Sequence, residues 1–487
     1  MTSTTVRSLS PAAARWRQPA AVAFLLAWFG YFSWDALLVH FAPDDIMNLD
    51  YYWNIKPGQL LLLQFMPWRG PYRPMAGLFY RGMLHFFGLN PVPYHAVVLL
   101  VLLANVYLVY RLARVLWAGE LAACLASLIV CYHAGLHMLY YDTAFVFDVL
   151  CCFFYLAAFV YYARIRGSGR LLDPREAAVH LGLYLCALNS KEMAITLPVA
   201  LLAYEWFYHK PSWSGRGVAE WLSGPGRVIL LGAVLDLAFL YGSLLRPNAL
   251  VVQPGYKPAL SFARFMEFYS HAYSDLFEQG SGNDFAWGAV LTIWFVLTYL
   301  AWRRDRPILR FCWVFWLVTP MPLSVLAGRR GACLAIPFSC LAVFAPVVFL
   351  DVVHTGARFL ARERAFRRFG DRNCFAALCV LGVALWGWQN DCAKRLYVKS
   401  SMESLGELTW LVMGQLRQLN PHVKPHSTVV FLDDPFDAFD MAQIAELWFR
   451  DHSLNIKLLR KTPMTPLELS KADYLFTFKN GPLMQLK

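Results

Sequence analysis

Residues 94–114 read YHAVVLLVLLANVYLVYRLAR, an apolar run that ends at two arginines, Arg111 and Arg114. A helix that crosses the ~30 Å hydrocarbon core of a bilayer needs about 20 consecutive, mostly apolar residues, and this run is long enough. Comparable runs recur along the chain of 487 residues, of which 58% are hydrophobic and 16% are charged. A soluble domain has about 25% charged residues, so this composition predicts a chain that exposes much of its surface to lipid.

The apolar runs predict an all-α polytopic membrane protein with about eleven transmembrane helices. The predicted spans are 20–39, 94–112, 119–138, 144–163, 177–190, 193–208, 228–245, 286–302, 308–326, 332–351 and 374–390. They define a membrane domain over residues 1–390, with long loops at 40–93 and 246–285. The N-terminal run is too long for a signal-peptide core and has no small-residue cleavage site, so we expect it to remain as an anchor.

Basic residues fall in every second predicted loop. They are Arg111 and Arg114, then Arg164, Arg166, Arg170 and Arg175, then Lys210 and Arg216, then Arg303, Arg304 and Arg306, and finally the run from Arg358 to Arg372. The positive-inside rule places these loops and the N-terminus in the cytoplasm, and the odd span count places the C-terminus outside. No Asn-x-Ser/Thr sequon occurs in the chain, which favours the inner (plasma) membrane of a bacterium over the ER.

The C-terminal segment, residues 391–487, is more charged and has shorter apolar runs. Ser427–Asp433 (STVVFLD) predicts a buried strand, 437–451 a helix, and Asn455–Leu459 and Tyr474–Phe478 further strands. We therefore expect a small extracytoplasmic α/β domain after the membrane domain.

Charge and cysteine patterns exclude two other classes. The net charge of +12 is spread between apolar runs and forms no single basic patch, so we predict no nucleic-acid partner. The eleven cysteines lie mostly inside apolar runs and form no CxxC pair or Cys/His ligand spacing. The sequence therefore supports neither a divalent-metal site nor a disulfide framework, and it indicates no particular cofactor.

Two adjacent acids, Asp44 and Asp45, follow directly after the first predicted span. A carboxylate at the membrane–water boundary can act as a general base, and the loop that follows is long enough to fold over it. The alternative interpretation is the solvated start of a loop. Three further acids, Asp142, Asp148 and Asp236, fall in or near apolar runs, where acids usually face an interior or a cavity.

Several cations lie on the predicted outer side, against the inside bias. The first outer loop carries Arg69, Arg73 and Arg81, and Arg329 and Arg330 lie between the ninth and tenth predicted spans. Guanidinium groups match the oxygens of phosphate, whereas the alternative is contact with anionic headgroups or with nearby acids. Lys191 and Glu192, in Asn189–Met193 (NSKEM), either pair with each other or project into a cavity between two short spans.

These residues carry a resemblance to a family. Tyr72–Met75 (YRPM), Leu78–Arg81 (LFYR), Gly88–Pro91 (GLNP) and Tyr94-His95 resemble the first-loop and second-span region of the transmembrane-and-TPR O-mannosyltransferases, and Ser190–Pro198 (SKEMAITLP) resembles their Ser-Lys-Glu segment. The layout is similar to GT-C glycosyltransferases, which include protein O-mannosyltransferases and the lipid A aminoarabinose transferase. Those enzymes share an acidic motif in the first outer loop, which Asp44-Asp45 match. The resemblance covers about 20–210, and 210–390 in topology only; the tail is not made of TPR repeats.

The resemblance implies transfer of a sugar, with inversion, from a polyprenyl-phosphate carrier to a hydroxyl of a protein or glycolipid acceptor at the outer face of the bilayer. It implies a mannosyltransferase-like hexosyltransferase with Asp44 or Asp45 as the catalytic base. The implied phosphate-binding residues are Arg69, Arg73, Lys191, Arg329 and Arg330, and the implied supporting residues are Tyr72, His95 and Glu192.

Two other classes of protein remain as alternatives. A polytopic transporter of lipid or sugar should have inverted repeats with broken helices in matching positions, and the sequence has no such pairing. A non-catalytic GT-C-like assembly partner is the second alternative, which the intact acid pair disfavours.

Overall fold

The computed structural model describes residues 17–66, 73–210, 214–245, 257–278, 284–363, 370–437, 440–479 and 481–487. The helices of the first half are α1 (Arg17–Ser33), α2 (Pro43–Tyr52), α3 (Pro57–Leu63), α4 (Pro74–Phe87), α5 (Pro91–Val115), α6 (Glu120–Cys131), α7 (Met138–Tyr141), α8 (Val146–Gly167), α9 (Pro174–Ser190), α10 (Leu197–Tyr204), α11 (Gly215–Ser223) and α12 (Gly226–Leu245). The later helices are α13 (Phe262–Tyr273), α14 (Trp287–Arg303), α15 (Pro307–Val318), α16 (Met321–Ser324), α17 (Ala335–Leu360), α18 (Gly370–Ala393), α19 (Lys399–Leu405), α20 (Glu407–Leu419), α21 (Asp440–Phe449) and α22 (Pro466–Ser470).

Short non-α helical segments connect several of these helices. The 3₁₀ segments are Trp34–Leu38, Ala134–Leu136, Thr143–Phe145, Glu192–Thr196 and Gly331–Leu334, and the π-helical turns are Glu205–His209, Ser274–Glu278 and Lys394–Val398. Most of the 3₁₀ segments occur where a predicted span was expected to begin or end. The predicted all-α membrane protein with a small α/β domain is confirmed.

Within the part of the chain that the structure describes, five helical stretches are long and apolar enough to cross a membrane. They are Gln18–Leu38, Pro91–Val115, Thr143–Gly167, Pro307–Ser324 and Gly331–Leu360. A pair of helices, Gly215–Ser223 and Gly226–Gly242, passes the same test together but is bent by 71°. Shorter apolar helices occur at Glu120–Cys131 and Trp287–Arg303. The count of about eleven spans therefore stays a prediction.

Two predicted spans are interrupted. The span 119–138 ends as a helix at Cys131, and the chain then makes a 3₁₀ turn at Ala134–Leu136. A Cβ on Gly135 would lie 1.7 Å from the backbone oxygen of Asp275, so only glycine permits this close approach. The span 193–208 divides because Pro198, which lacks an N–H, is tolerated only in the first turn of a new helix, α10.

Helix α8 forms the centre of the membrane domain and packs against α5, α9 and α17. Its residues Tyr155, Phe159 and Tyr162 are fully buried. The Asn105 side chain of α5 forms a hydrogen bond to α8 within this bundle. Its amide nitrogen donates to the Val149 carbonyl oxygen at 3.0 Å. The rigid packing of α8 matters for function because its N-terminal end carries the residues described below.

The tail contains a four-stranded sheet of order β2-β1-β3-β4. The strands are β1 (Thr428–Phe431), β2 (Asn455–Leu458), β3 (Tyr474–Thr477) and β4 (Met484–Gln485). Strand β1 pairs in parallel with β2 and β3, with Val429 opposite Ile456 and Tyr474, and β4 is antiparallel to β3. Residues Val429, Val430 and Phe431 of β1 are fully buried, as a central parallel strand requires.

The tail packs against the first loop of the membrane domain. Helix α21 lies against α2. The Trp53 and His452 rings stack with centroids 4.1 Å apart, and the His40 and Trp410 rings stack at 4.3 Å. These contacts place the tail on the same side of the membrane as the acids at the start of α2.

We expect reagents that cannot cross the membrane to label a cysteine at Lys471 in intact cells. Lys471 is exposed on the tail, and the arginine alternation predicts that the tail is extracytoplasmic. A cysteine at Arg358, in a predicted cytoplasmic loop, is the matched control and should be labelled only after permeabilisation. The reverse pattern would contradict the predicted topology.

Candidate functional site

The first-loop acids occupy the first turn of α2, where backbone N–H groups have no helical partner. Asp45 is fully buried. Its Oδ2 accepts a hydrogen bond from the Ala42 backbone N–H at 2.9 Å, and its Oδ1 accepts one from the Thr143 hydroxyl at 2.5 Å, with the Tyr80 hydroxyl 3.5 Å away. Burial raises the pKa of the Asp45 carboxyl well above its ordinary value, and the negative charge of Asp142 is the second largest cause. Both oxygens of Asp45 therefore anchor the loop.

Asp44 differs from its neighbour in accessibility. It is exposed, and among the described residues its carboxylate accepts no hydrogen bond, although its backbone oxygen accepts one from the Asn48 amide at 2.8 Å. Partial desolvation of the Asp44 carboxyl by the surrounding protein raises its pKa above the ordinary value, and the negative charge of Asp440 on α21 raises it further. An accessible carboxylate with a raised pKa has the properties of a general base.

A third carboxylate, Asp142, lies within electrostatic range of both first-loop acids. It is buried, and its Oδ1 accepts a hydrogen bond from the Ala144 N–H at 2.9 Å, which caps the segment Thr143–Phe145. Burial raises the pKa of Asp142 to about 7. The sequence placed this residue beside an apolar run but gave no sign that it would meet Asp45.

The cationic side of the site begins at Arg73, the N-cap residue of α4. Its backbone is left-handed, with φ 49°, a conformation that a non-glycine residue adopts only at a cost. The Arg73 Nη2 lies 2.7 Å from a Glu192 carboxylate oxygen, and its guanidinium lies 4.9 Å from the centroid of the Phe147 ring. Arg73 and Glu192, which the sequence analysis named separately, therefore meet in space, whereas the alternative pairing of Glu192 with Lys191 does not form because Lys191 binds Asp148.

Lys191 is buried, and its Nζ lies 2.6 Å from each oxygen of the Asp148 carboxylate and 3.7 Å from the Cys333 sulfur. Burial opposes its charge, but the Asp148 carboxylate outweighs burial and raises the pKa of Lys191. Lys191 is thus a permanent cation whose charge Asp148 already balances. This arrangement favours a supporting role for Lys191 over direct contact with a phosphate.

The two arginines that follow α16, Arg329 and Arg330, have different surroundings. Arg329 is half-buried and, like Arg73, lies within electrostatic range of Cys333. Arg330 is exposed and pairs with Asp275, with 2.9 Å between Nη2 and Oδ1. Asp275 also accepts the Gly331 N–H at 2.7 Å, so Arg330 ties this loop to the π-helical turn Ser274–Glu278.

One short segment, Asp142–Asp148, connects the acidic and the cationic sides. Thr143 binds Asp45, Phe147 lies beneath the Arg73 guanidinium, and Asp148 binds Lys191. The Tyr80 ring, whose hydroxyl faces Asp45, lies 6.3 Å from the Phe147 ring. The segment therefore connects the first-loop acids at its start to two cations at its end, Arg73 and Lys191, each of which is paired with a carboxylate, Glu192 and Asp148 respectively.

The remaining sequence candidates are His95, Arg69 and Tyr72. His95 is fully buried within α5. Arg69 and Tyr72 lie outside the described residues. Among the described residues no group of three or more His, Cys, Asp or Glu side chains is arranged to hold a metal ion.

The helical membrane domain and the small α/β tail define a multi-pass membrane protein of the GT-C glycosyltransferase fold. No family model and no curated protein sequence matches the chain. The solved structure of ArnT from Cupriavidus metallidurans in the apo state is similar, with a TM-score of 0.50 and 13% identity over 96% of this chain and 94% of that one. The archaeal oligosaccharyltransferase AglB from Archaeoglobus fulgidus, in complex with an inhibitory peptide and a dolichol-phosphate, is similar with a TM-score of 0.51 and 12% identity, over 96% of this chain and 70% of that one.

Proposed function

We propose that this protein transfers a sugar, with inversion, from a polyprenyl-phosphate carrier to an acceptor hydroxyl at the outer face of a bacterial inner membrane. The observation that carries the proposal is the segment Asp142–Asp148: its Thr143 binds Asp45, the neighbour of the accessible Asp44, and its Phe147 lies against the Arg73 guanidinium. A base and a phosphate-binding cation on opposite sides of one reacting carbon are what a single displacement requires.

On the acceptor side, Asp44 takes the proton of the attacking hydroxyl as its oxygen bonds to the anomeric carbon. Asp45 and Thr143 hold the first turn of α2 in place, so that Asp44 points outwards. Asp440, at the start of α21, adds a second negative charge near the base. The acceptor is a hydroxyl of a protein or a glycolipid.

On the donor side, the bond between the anomeric carbon and the phosphate oxygen breaks, and its electron pair leaves with the polyprenyl phosphate. The second pKa of a phosphate monoester is about 6, so this group leaves without a general acid. Arg73 and Arg329 supply positive charge for the leaving oxygens. The Lys191–Asp148 pair holds α8 and the residues before α10 together around them.

The carrier class has one further support. AglB, whose fold this chain shares, was solved with a dolichol-phosphate. A lipid phosphate in this chain would have its head beside Arg73 and its chain among the apolar helices. The sugar is proposed to be a hexose, similar to mannose.

The test is release of decaprenyl phosphate from decaprenyl-phosphate-linked mannose and glucose by the purified protein in nanodiscs. We expect release that increases when membranes of the source cell are added as acceptor. Mass spectrometry measures both the lipid phosphate and the glycosylated product. Movement of an intact labelled donor between leaflets, without release, would identify a transporter instead.

We expect Arg73→Gln to raise the KM for the polyprenyl-phosphate donor by about tenfold or more, the value of one lost charge-assisted hydrogen bond. Arg330→Gln is the matched control, because Arg330 binds Asp275 in the same region. It should change the KM by no more than about twofold. Equal effects from both substitutions would contradict the assignment of Arg73.

The reaction rate should fall as the pH falls through the raised pKa of Asp44, because only the carboxylate form accepts a proton. Asp440→Asn removes a neighbouring negative charge and lowers that pKa, so the acidic limb of the rate profile should move to a lower pH. Asp437→Asn, a substitution of an exposed acid in the same connection before α21, is the control. An unmoved acidic limb in Asp440→Asn would exclude this coupling.

A further inference from the structure

A polar cavity of about 380 Å³ lies at the other end of α17 from the candidate site. It is lined by Arg304, Arg306, Asp351, His354 and Thr355. At 1.5 Å per residue, Asp351 is about 24 Å along the helix from Ala335, where α17 starts. The cavity is therefore at the opposite membrane boundary, which the arginine alternation predicts to be cytoplasmic.

The cavity carries excess positive charge. Arg304 and Arg306 both bind the Asp351 carboxylate, the latter with 3.1 Å between Nη1 and Oδ2. Two guanidinium groups thus face one carboxylate. Each guanidinium has five N–H donors, so donors remain after these bonds. The Arg306 side chain is 49% exposed and that of Arg304 is 28% exposed, which leaves both accessible from the cavity.

The walls of the cavity are fixed. The shared bond to Asp351 holds the loop between α14 and α15 against α17. The His354 ring packs edge-on against Phe375 of α18, with 6.0 Å between centroids. The cations are therefore preorganised, which lowers the entropy cost of binding a ligand.

Two large apolar residues that are near the cavity residues in the sequence have exposed side chains. Trp302 precedes the arginine loop and is 46% exposed, and Val352 follows Asp351 and is 58% exposed. Exposed apolar side chains on a membrane helix face lipid chains. A ligand with an anionic head and an apolar chain satisfies both the cavity and its surroundings.

We propose that this cavity binds the phosphate of an anionic phospholipid, with Arg304 and Arg306 donating to the phosphate oxygens and the acyl chains lying beside Val352. Basic pockets between membrane helices at the cytoplasmic boundary are suited to such headgroups. Inorganic phosphate offers the same oxygens without the acyl chains. This site is separate from the proposed transferase site and does not depend on it.

The test is titration of the detergent-purified protein with phosphatidylglycerol and with phosphatidylcholine of the same acyl chains, followed by native mass spectrometry. The wild type should bind phosphatidylglycerol in preference. Arg306→Gln should weaken that binding by about tenfold, through the loss of one charge-assisted hydrogen bond. Arg216→Gln is the control, since Arg216 is 92% exposed and outside the cavity.

A second variant, Asp351→Asn, separates an anion site from a simple ion-pair cluster. Its amide oxygen still accepts a hydrogen bond from an arginine, so the loop stays attached to α17 while the competing negative charge is removed. Phosphatidylglycerol should therefore bind more tightly than to the wild type. Weaker binding in Asp351→Asn, or binding in Arg306→Gln within about twofold of the wild type, would overturn the proposal. So would equal binding of both lipids, or displacement of phosphatidylglycerol by an equal concentration of inorganic phosphate, which would indicate a free-phosphate site.

Discussion

Asp44→Asn is expected to reduce sugar transfer by about 10²–10⁴-fold, the usual contribution of a general base, and to leave the protein folded. The amide keeps the shape of the side chain but has no basic oxygen for the acceptor proton. Because among the described residues the Asp44 carboxylate accepts no hydrogen bond, its replacement breaks no contact there. Release of decaprenyl phosphate measures the rate, and the midpoint of thermal unfolding reports the fold.

Asp45→Asn is the informative comparison, because the two acids are neighbours with different surroundings. The amide has one accepting oxygen where the carboxylate has two, so either the Ala42 N–H or the Thr143 hydroxyl loses its acceptor. A buried donor without a partner costs about 1–3 kcal/mol, so this variant should have a lower unfolding midpoint. Asp50→Asn, about one and a half turns further along α2, is the control. Normal transfer by Asp44→Asn would remove Asp44 from the mechanism.

The fold class could be predicted from the sequence because the features that indicate it lie within short runs of neighbouring residues. Length and hydropathy of a run such as 94–112 identify a membrane helix, and α5 covers that run as Pro91–Val115. The tail strands were predicted in the same way, from short runs such as Ser427–Asp433, and β1 covers Thr428–Phe431. Both features follow from neighbouring residues alone.

Interruptions of helices were harder to predict because their causes lie elsewhere in the chain. The end of α6 at Cys131 depends on the approach of Asp275 to Gly135, more than 100 residues away in sequence. A hydropathy average taken along the chain does not reveal such a break, because the residues on both sides of it are apolar. The number of spans therefore cannot be obtained from the runs alone.

The candidate site was predicted in its residue types but not in its pairing. Asp44 and Asp45 are equivalent in sequence, and only the contacts with Thr143 and Tyr80 distinguish them. Asp142 lies at the border of an apolar run, and an acidic residue at such a position can have several different roles. Its proximity to Asp45 depends on the packing of α8 against the first loop, which no local pattern encodes.

The division of charge within the site has a mechanistic consequence. Carboxylates from three elements, Asp44, Asp142 and Asp440, surround the acceptor side, whereas Arg73 lies beyond Phe147. A lipid phosphate would be repelled from the first group and attracted to the second. In the proposed mechanism the donor therefore has one favourable orientation, with its sugar directed towards Asp44. Substitution of Phe147 would remove the apolar contact that separates the two sides.

The largest effect on stability is expected from Lys191→Met. This change leaves the Asp148 carboxylate buried without its partner, and loss of one member of a buried ion pair costs about 3–5 kcal/mol. Thermal unfolding in detergent should show a large fall in the midpoint. Arg170→Gln, which breaks an exposed pair with Glu176, is the control and should change the midpoint little.

The double variant Lys191→Met/Asp148→Leu decides what the buried pair does. Replacing both partners by apolar side chains leaves no unpaired charge, so most of the lost stability should return. If the pair only holds α8 against the Ser190–Thr196 connection, the KM for the donor should also return to near the wild-type value. If Lys191 itself binds the phosphate, the double variant will be stable and still have a strongly raised KM. The bond of Lys191 to both Asp148 oxygens at 2.6 Å favours the first outcome, because a cation balanced in this way has little charge left for a second anion.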